Sequence, residues 1–76
     1  MDTSEVRTME DEIKLRFTYH APKPGQPEKY TKLRDKALEL ALMIKNVCPD
    51  SREQQLAFTH LDEVIMWANA SIARRS

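Results

Sequence analysis

The chain has 76 residues, with 12 basic and 12 acidic side chains for a formal net charge of zero, two histidines and a single cysteine. That length allows one domain, near the lower limit for folding alone. One cysteine excludes an internal disulfide, and two histidines with one thiol make a poor metal inventory, so no metal or cofactor is expected. Zero net charge argues against general binding of duplex nucleic acid. No apolar run approaches the roughly 18 residues of a membrane span, and the polar, acidic start is unlike a secretory signal, which points to the cytoplasm. Association between copies is the reinforcement left to a chain this small.

The zero charge hides an asymmetry. Residues 1–12 carry five acids and one arginine, whereas residues 14–36 carry seven basic residues against Glu28 and Asp35. Residues 1–12 therefore read as a mobile acidic arm. From Ile13 to His20 apolar and polar residues alternate, with Ile13, Leu15, Phe17 and Tyr19 on one side. This period of two predicts an extended segment; the rival pattern is a helix through Val6, Met9, Ile13 and Arg16.

Pro22, Pro24 and Pro27 forbid a helix before about residue 26. Pro27 suits a first helical position and Glu28 the positive end of the helix dipole. Apolar residues at 30, 33, 37, 40, 41, 44 and 47 then predict an amphipathic helix over 27–47, ended by Pro49. Asp50 or Ser51 can cap a second helix, with Glu53 or Gln54 completing a capping box. Its stripe of Ala57, Leu61, Val64, Ala68 and Ile72 predicts helix over 51–73. So short a connection folds the two helices back on each other. The expected fold is all-α: an antiparallel two-helix hairpin spanning residues 13–76, with residues 13–26 as its extended arm.

Apolar residues lie outside both stripes as well: Leu38 and Leu42 on the first helix, Phe58, Ile65 and Trp67 on the second. A lone hairpin cannot bury this surplus, which marks these five as an interface between copies with Trp67 as anchor.

Enzymatic readings find little support. Cys48 sits at the hairpin tip before a proline, far along the chain from His60, and reads as a small apolar filler. No carboxylate pair converges, and one glycine in the whole chain rules out a phosphate loop. The entrance to the first helix is better furnished. A helix N-terminus offers unpaired N–H groups to anions, and Lys23, Lys29, Lys32 and Arg34 surround this one. Tyr19, His20 and Tyr30 add flat faces, and stacked bases gain about 1–3 kcal/mol each in single-strand binders. Cations and rings together describe a nucleotide site; a solvated helix face with a stapled arm is the plainer alternative.

The run YHAPKPGQPEKYTKLRDKALELA, then CPDSREQ, then THLDEVIMWANASIARR, resembles a family of short phage and prophage proteins. These are similar to the helical hairpins of phage anti-CBASS and anti-Thoeris sponges, a resemblance covering residues 17–75. It implies a non-enzymatic protein of the host cytoplasm, assembled as a homodimer or hexamer, that traps cyclic di- or trinucleotides or cyclic ADP-ribose products at subunit seams. It places the pocket tyrosine on Tyr19 and, counting without gaps, the pocket lysine on Arg34. Asn69 and Arg74 are added for their polar reach. Arg34 and the KPGQP entrance depart from the sponge pattern and bear on which nucleotide fits. A small phage interaction protein docking a host or virion protein is the alternative function.

Overall fold

The computed structural model describes residues 8–76, in three helices: α1 Met9–Arg16, α2 Gln26–Val47 and α3 Arg52–Arg75. No strand occurs among the described residues. The first seven positions of the expected acidic arm lie outside them.

The extended reading of residues 13–20 is corrected, because Ile13 to Arg16 belong to α1. Local chemistry decides for the helix over the alternation. The Thr8 side chain caps its start by accepting from the Asp11 N–H at 3.1 Å, and Glu10, Asp11 and Glu12 sit at the positive end of the dipole. Lys14 and Arg16 occupy the negative end, each paired one turn back with Glu10 and Glu12. The rival helical pattern thus describes Met9 to Arg16. Past Phe17 the chain leaves the helix, and two side chains tie it back: the Thr18 hydroxyl donates to the Lys14 carbonyl, and the His20 ring bonds the Leu15 carbonyl at 2.6 Å.

Gly25, at φ +85°, turns the chain into α2, and Pro27 falls at the second helical position instead of the first. Four residues, Cys48–Ser51, separate α2 from α3. Ser51 caps α3 by accepting from the Gln54 N–H at 3.0 Å. The Gln54 amide does not close the box by reaching back to Ser51; it donates instead to the Cys48 carbonyl at 3.1 Å.

Helices α2 and α3 pack along their length as a hairpin, and the molecule with α1 measures 51 × 27 × 25 Å. The radius of gyration is 16.6 Å, against about 11 Å for a compact domain of this length. The seam on α2 is Tyr30, Leu33, Ala37, Ala41 and Ile44; on α3 it is Ala57, Phe58, Leu61, Ile65, Ala68 and Ile72, all half-buried. Phe58, Leu61, Ile65, Ala68 and Ile72 alternate steps of three and four, the spacing that keeps one stripe against a neighbouring helix. That register puts Phe58 and Ile65 in the seam instead of on its flank. It leaves Val64, expected in the stripe, exposed, as are Leu40 and Val47 on α2.

No apolar side chain among the described residues is fully buried. The two buried residues are glutamines, Gln26 at 4% exposure and Gln54 at 5%. Each stands four positions before the first aromatic of its seam, Tyr30 or Phe58, so each continues the stripe with an amide. No described helix is long and apolar enough to cross a membrane.

Candidate functional site at the open end of the hairpin

The open end of the hairpin joins the start of α2, the end of α3 and the arm carrying α1. Gln26 is its pin. The Gln26 side-chain oxygen accepts from the Lys23 N–H at 2.9 Å, and its Nε2 donates to the Ile72 carbonyl at 3.0 Å, with longer contacts to Ser76. One amide thereby fixes the proline-rich entrance against the last turn of α3. Lys23 adds a second tie, its Nζ donating to the Ser76 carbonyl at 3.0 Å.

A carboxylate holds α1 to the same end. The Arg16 Nε donates to Glu12 Oε2 at 2.8 Å, and the Arg75 Nη2 reaches the same oxygen at 3.0 Å and Oε1 at 3.3 Å. Hydrogen bonds from Arg16 and then Arg75 hold the Glu12 carboxyl below the usual carboxylate range. Beside this bridge lies a groove of about 390 Å³ lined by Arg16, Phe17, Trp67, Ala70, Ser71, Arg74 and Arg75. It continues around α3 into a second hollow of about 440 Å³ formed by Met66, Trp67, Asn69, Ala70 and Arg74. Trp67 is 65% exposed, so its indole presents a free face to both. The Asn69 side-chain oxygen is buried without a hydrogen-bond partner among the described residues. Three guanidinium groups, two aromatic rings and small residues between them suit a ligand with flat rings and negative charge.

The expected site residues divide between several places. Asn69 and Arg74 come together with Trp67 at the open end. Arg34 lies elsewhere, in an apolar groove of about 330 Å³ along the seam with Leu38, Phe58, Ile65 and Asp62; its Nη2 lies 3.5 Å from the Thr31 hydroxyl. Tyr19 stands 82% exposed and lines none of these hollows, nor do Lys29 and Tyr30 in the first turn of α2. His20 is half-buried and committed to Leu15. Among the expected interface residues, Leu38, Leu42 and Trp67 are exposed, while Phe58 and Ile65 turn into the seam and reach the Arg34 groove.

Sequence reasoning did not single out Glu12, Arg16, Phe17, Arg75 or Gln26. The Glu12–Arg16 spacing of four was visible as a helical pair, but only under the rival reading of that segment. Nothing local announces Arg75 as a partner 63 positions from Glu12.

Residues 9–73 match the family model of the Acb2/Tad1 hairpin domain. Neither the curated proteins nor the solved structures contain a match to this chain. The matched span takes in all of α1 and α2 and nearly all of α3, and ends just before Arg74 and Arg75 of the open-end groove. The chain therefore belongs to the Acb2/Tad1 hairpin family, a family of cyclic-nucleotide sponges that bind their signal and are not enzymes.

Proposed function

We propose that the chain is a phage anti-defence sponge that sequesters a cyclic nucleotide immune signal, without cleaving it, in pockets completed by a second copy. The family match over residues 9–73 carries this reading. The signal belongs to the cyclic di- or trinucleotides or the cyclic ADP-ribose products, and capture starves the host effector of it in the cytoplasm.

The local chemistry supports a seam between copies. Tyr19 and Arg34 share none of the three grooves described, and both are exposed. A pocket using Tyr19 as a stacking face and Arg34 as a phosphate fork is completed, in this reading, by taking the two from different copies. A sponge competes with its effector at about nanomolar affinity, near −12 kcal/mol. One ring and one cation do not reach that value, whereas two of each, closed around a two-fold ligand, can. His20, Lys23, Lys29 and Tyr30 frame the entrance, and Asn69 with Arg74 extends the polar surface along α3. The exposed Leu38, Leu42 and Trp67 supply apolar area for the assembly, a dimer or a ring of dimers.

Calorimetry against cyclic di-, tri- and ADP-ribose nucleotides tests the proposal. At least one ligand is expected to bind at nanomolar concentration and to be recovered chemically unchanged after denaturation. Heat from none of them would leave the protein as a docking module for a host or virion protein; a converted ligand would make it a hydrolase.

A further inference from the structure

We propose that Glu12 is a built-in counter-anion guarding the arginine groove at the open end, so that an anionic ligand enters by displacing this carboxylate and repositioning α1 against α3. The inference rests on the sponge reading for the nature of the cargo, and on geometry for the guard.

Glu12 Oε2 receives both Arg16 Nε and Arg75 Nη2, at 2.8 and 3.0 Å. An oxyanion gripped by two guanidinium groups is also how a phosphate is held in an arginine clamp. The carboxylate therefore occupies the position a phosphate oxygen would take. It is drawn in, its side chain 15% exposed, although α1 itself buries no residue. The groove beside it keeps Phe17 and Trp67 as walls and Ala70 and Ser71 between them. Arg74 adds a third cation, which makes no ion pair among the described residues. Three cations against one carboxylate leave a surplus of two positive charges. The ligand class that matches is a ring compound carrying at least two negative charges, such as a pair of phosphodiesters.

Displacement also has a mechanical consequence. Among the described residues, the Glu12–Arg75 contacts are the sole side-chain hydrogen bonds joining α1 to α3. Once phosphate takes Arg75, the direct Glu12–Arg75 tie is gone, and α1 is joined to α3 through the ligand held between Arg16 and Arg75, which resets its position. The bound and free states thus differ in the placement of the arm. The guard keeps the groove from filling with the weak anions of the cytosol, which lack the charge to compete with a tethered carboxylate.

Pyrophosphate serves as the probe, titrated into the full chain as wild type, Glu12→Gln and Glu10→Gln. Trp67, the one tryptophan of the chain, reports groove occupancy through its emission. Glu12→Gln is expected to bind pyrophosphate about fivefold tighter, the scale of one exposed ion pair. Glu10→Gln removes an equal charge from the same helix away from the groove and is expected to change affinity by less than about twofold. Equal tightening by both variants means a general charge effect and overturns the guard, as does no tightening by Glu12→Gln. Cyclic di-, tri- and ADP-ribose nucleotides titrated in parallel separate the two claims. If pyrophosphate tightens and no cyclic nucleotide binds, the guard stands and the sponge reading falls. If one of these nucleotides binds and Glu12→Gln alters neither its affinity nor that of pyrophosphate, the guard alone falls.

Discussion

The two ends of the hairpin are closed by the same device and differ in what the closure spans. At the tip, the Gln54 amide reaches the Cys48 carbonyl six positions back, and Ser51 caps the helix three positions away. At the open end, the Gln26 amide crosses 46 positions to Ile72, and Glu12 crosses 63 to Arg75. Closing a longer span costs more chain entropy, and this cost grows only slowly with length. The tip is therefore held by contacts that form as soon as the turn forms, whereas the open end waits for the whole hairpin. A region with few buried apolar contacts and solvent-exposed polar ties is also one that opens locally at low cost. The arginines, the exposed tryptophan and the free Tyr19 ring all cluster at or near that end, where movement has a use.

Breaking the open end at its ring face should have the largest effect. Tyr19→Ala is expected to abolish capture of every cyclic nucleotide the wild type binds, while sedimentation shows the assembly unchanged. Capture retained at wild-type affinity would move the pocket away from the entrance.

Exchanging the two pins comes next. Gln26→Ala strands the Lys23 N–H and removes the long-range tie, and should lower stability by about 2 kcal/mol in chemical denaturation. Gln54→Ala breaks a local bond to the carbonyl of the exposed Cys48, which water can then reach, and should cost about 1 kcal/mol. The reverse order would show that the tip, not the entrance, limits stability. Gly25→Ala acts at the same end through the backbone alone. Nothing lies within 4 Å of the added methyl, so the expected loss of about 1 kcal/mol comes from the φ of +85°.

Acid provides the mildest probe. Arg16 and Arg75 lower the pKa of Glu12, so its hold on α1 is complete above the ordinary carboxylate range and is lost as pH falls through the lowered value. An acid titration of Trp67 emission should therefore show α1 releasing below the pH at which an ordinary glutamate protonates. Release above that range would contradict the Glu12 bridge.

The hairpin was legible because its two stripes are long. Leu33, Ala37 and Ile44 on α2, and Leu61, Ala68 and Ile72 on α3, stand in the seam where periodicity put them. Val64 and Ile65 exchange roles because a wide apolar arc leaves its central line undetermined, and packing against α2 chose the line through Phe58 and Ile65. Helix α1 misled because eight residues alternating by chance outweigh the four positions of the rival helical pattern, while its stabilising features are a cap and paired charges that hydropathy does not register. The buried glutamines were hidden for another reason. A polar residue between Gly25 and Pro27 reads as loop, although its place four residues before Tyr30 continues the seam. Of the candidate site, the sequence pointed to cations and rings at the entrance to α2, whereas the groove at the junction of α1 with α3 depends on contacts across the length of the chain.

Copies of the chain are expected to come together, since one copy fully buries no apolar side chain among its described residues and leaves Leu38, Leu42 and Trp67 exposed. Sedimentation at micromolar concentration measures this directly. A stable species at a multiple of the 8.9 kDa chain mass is predicted, and a lone 8.9 kDa chain, with and without bound cyclic nucleotide, would contradict it.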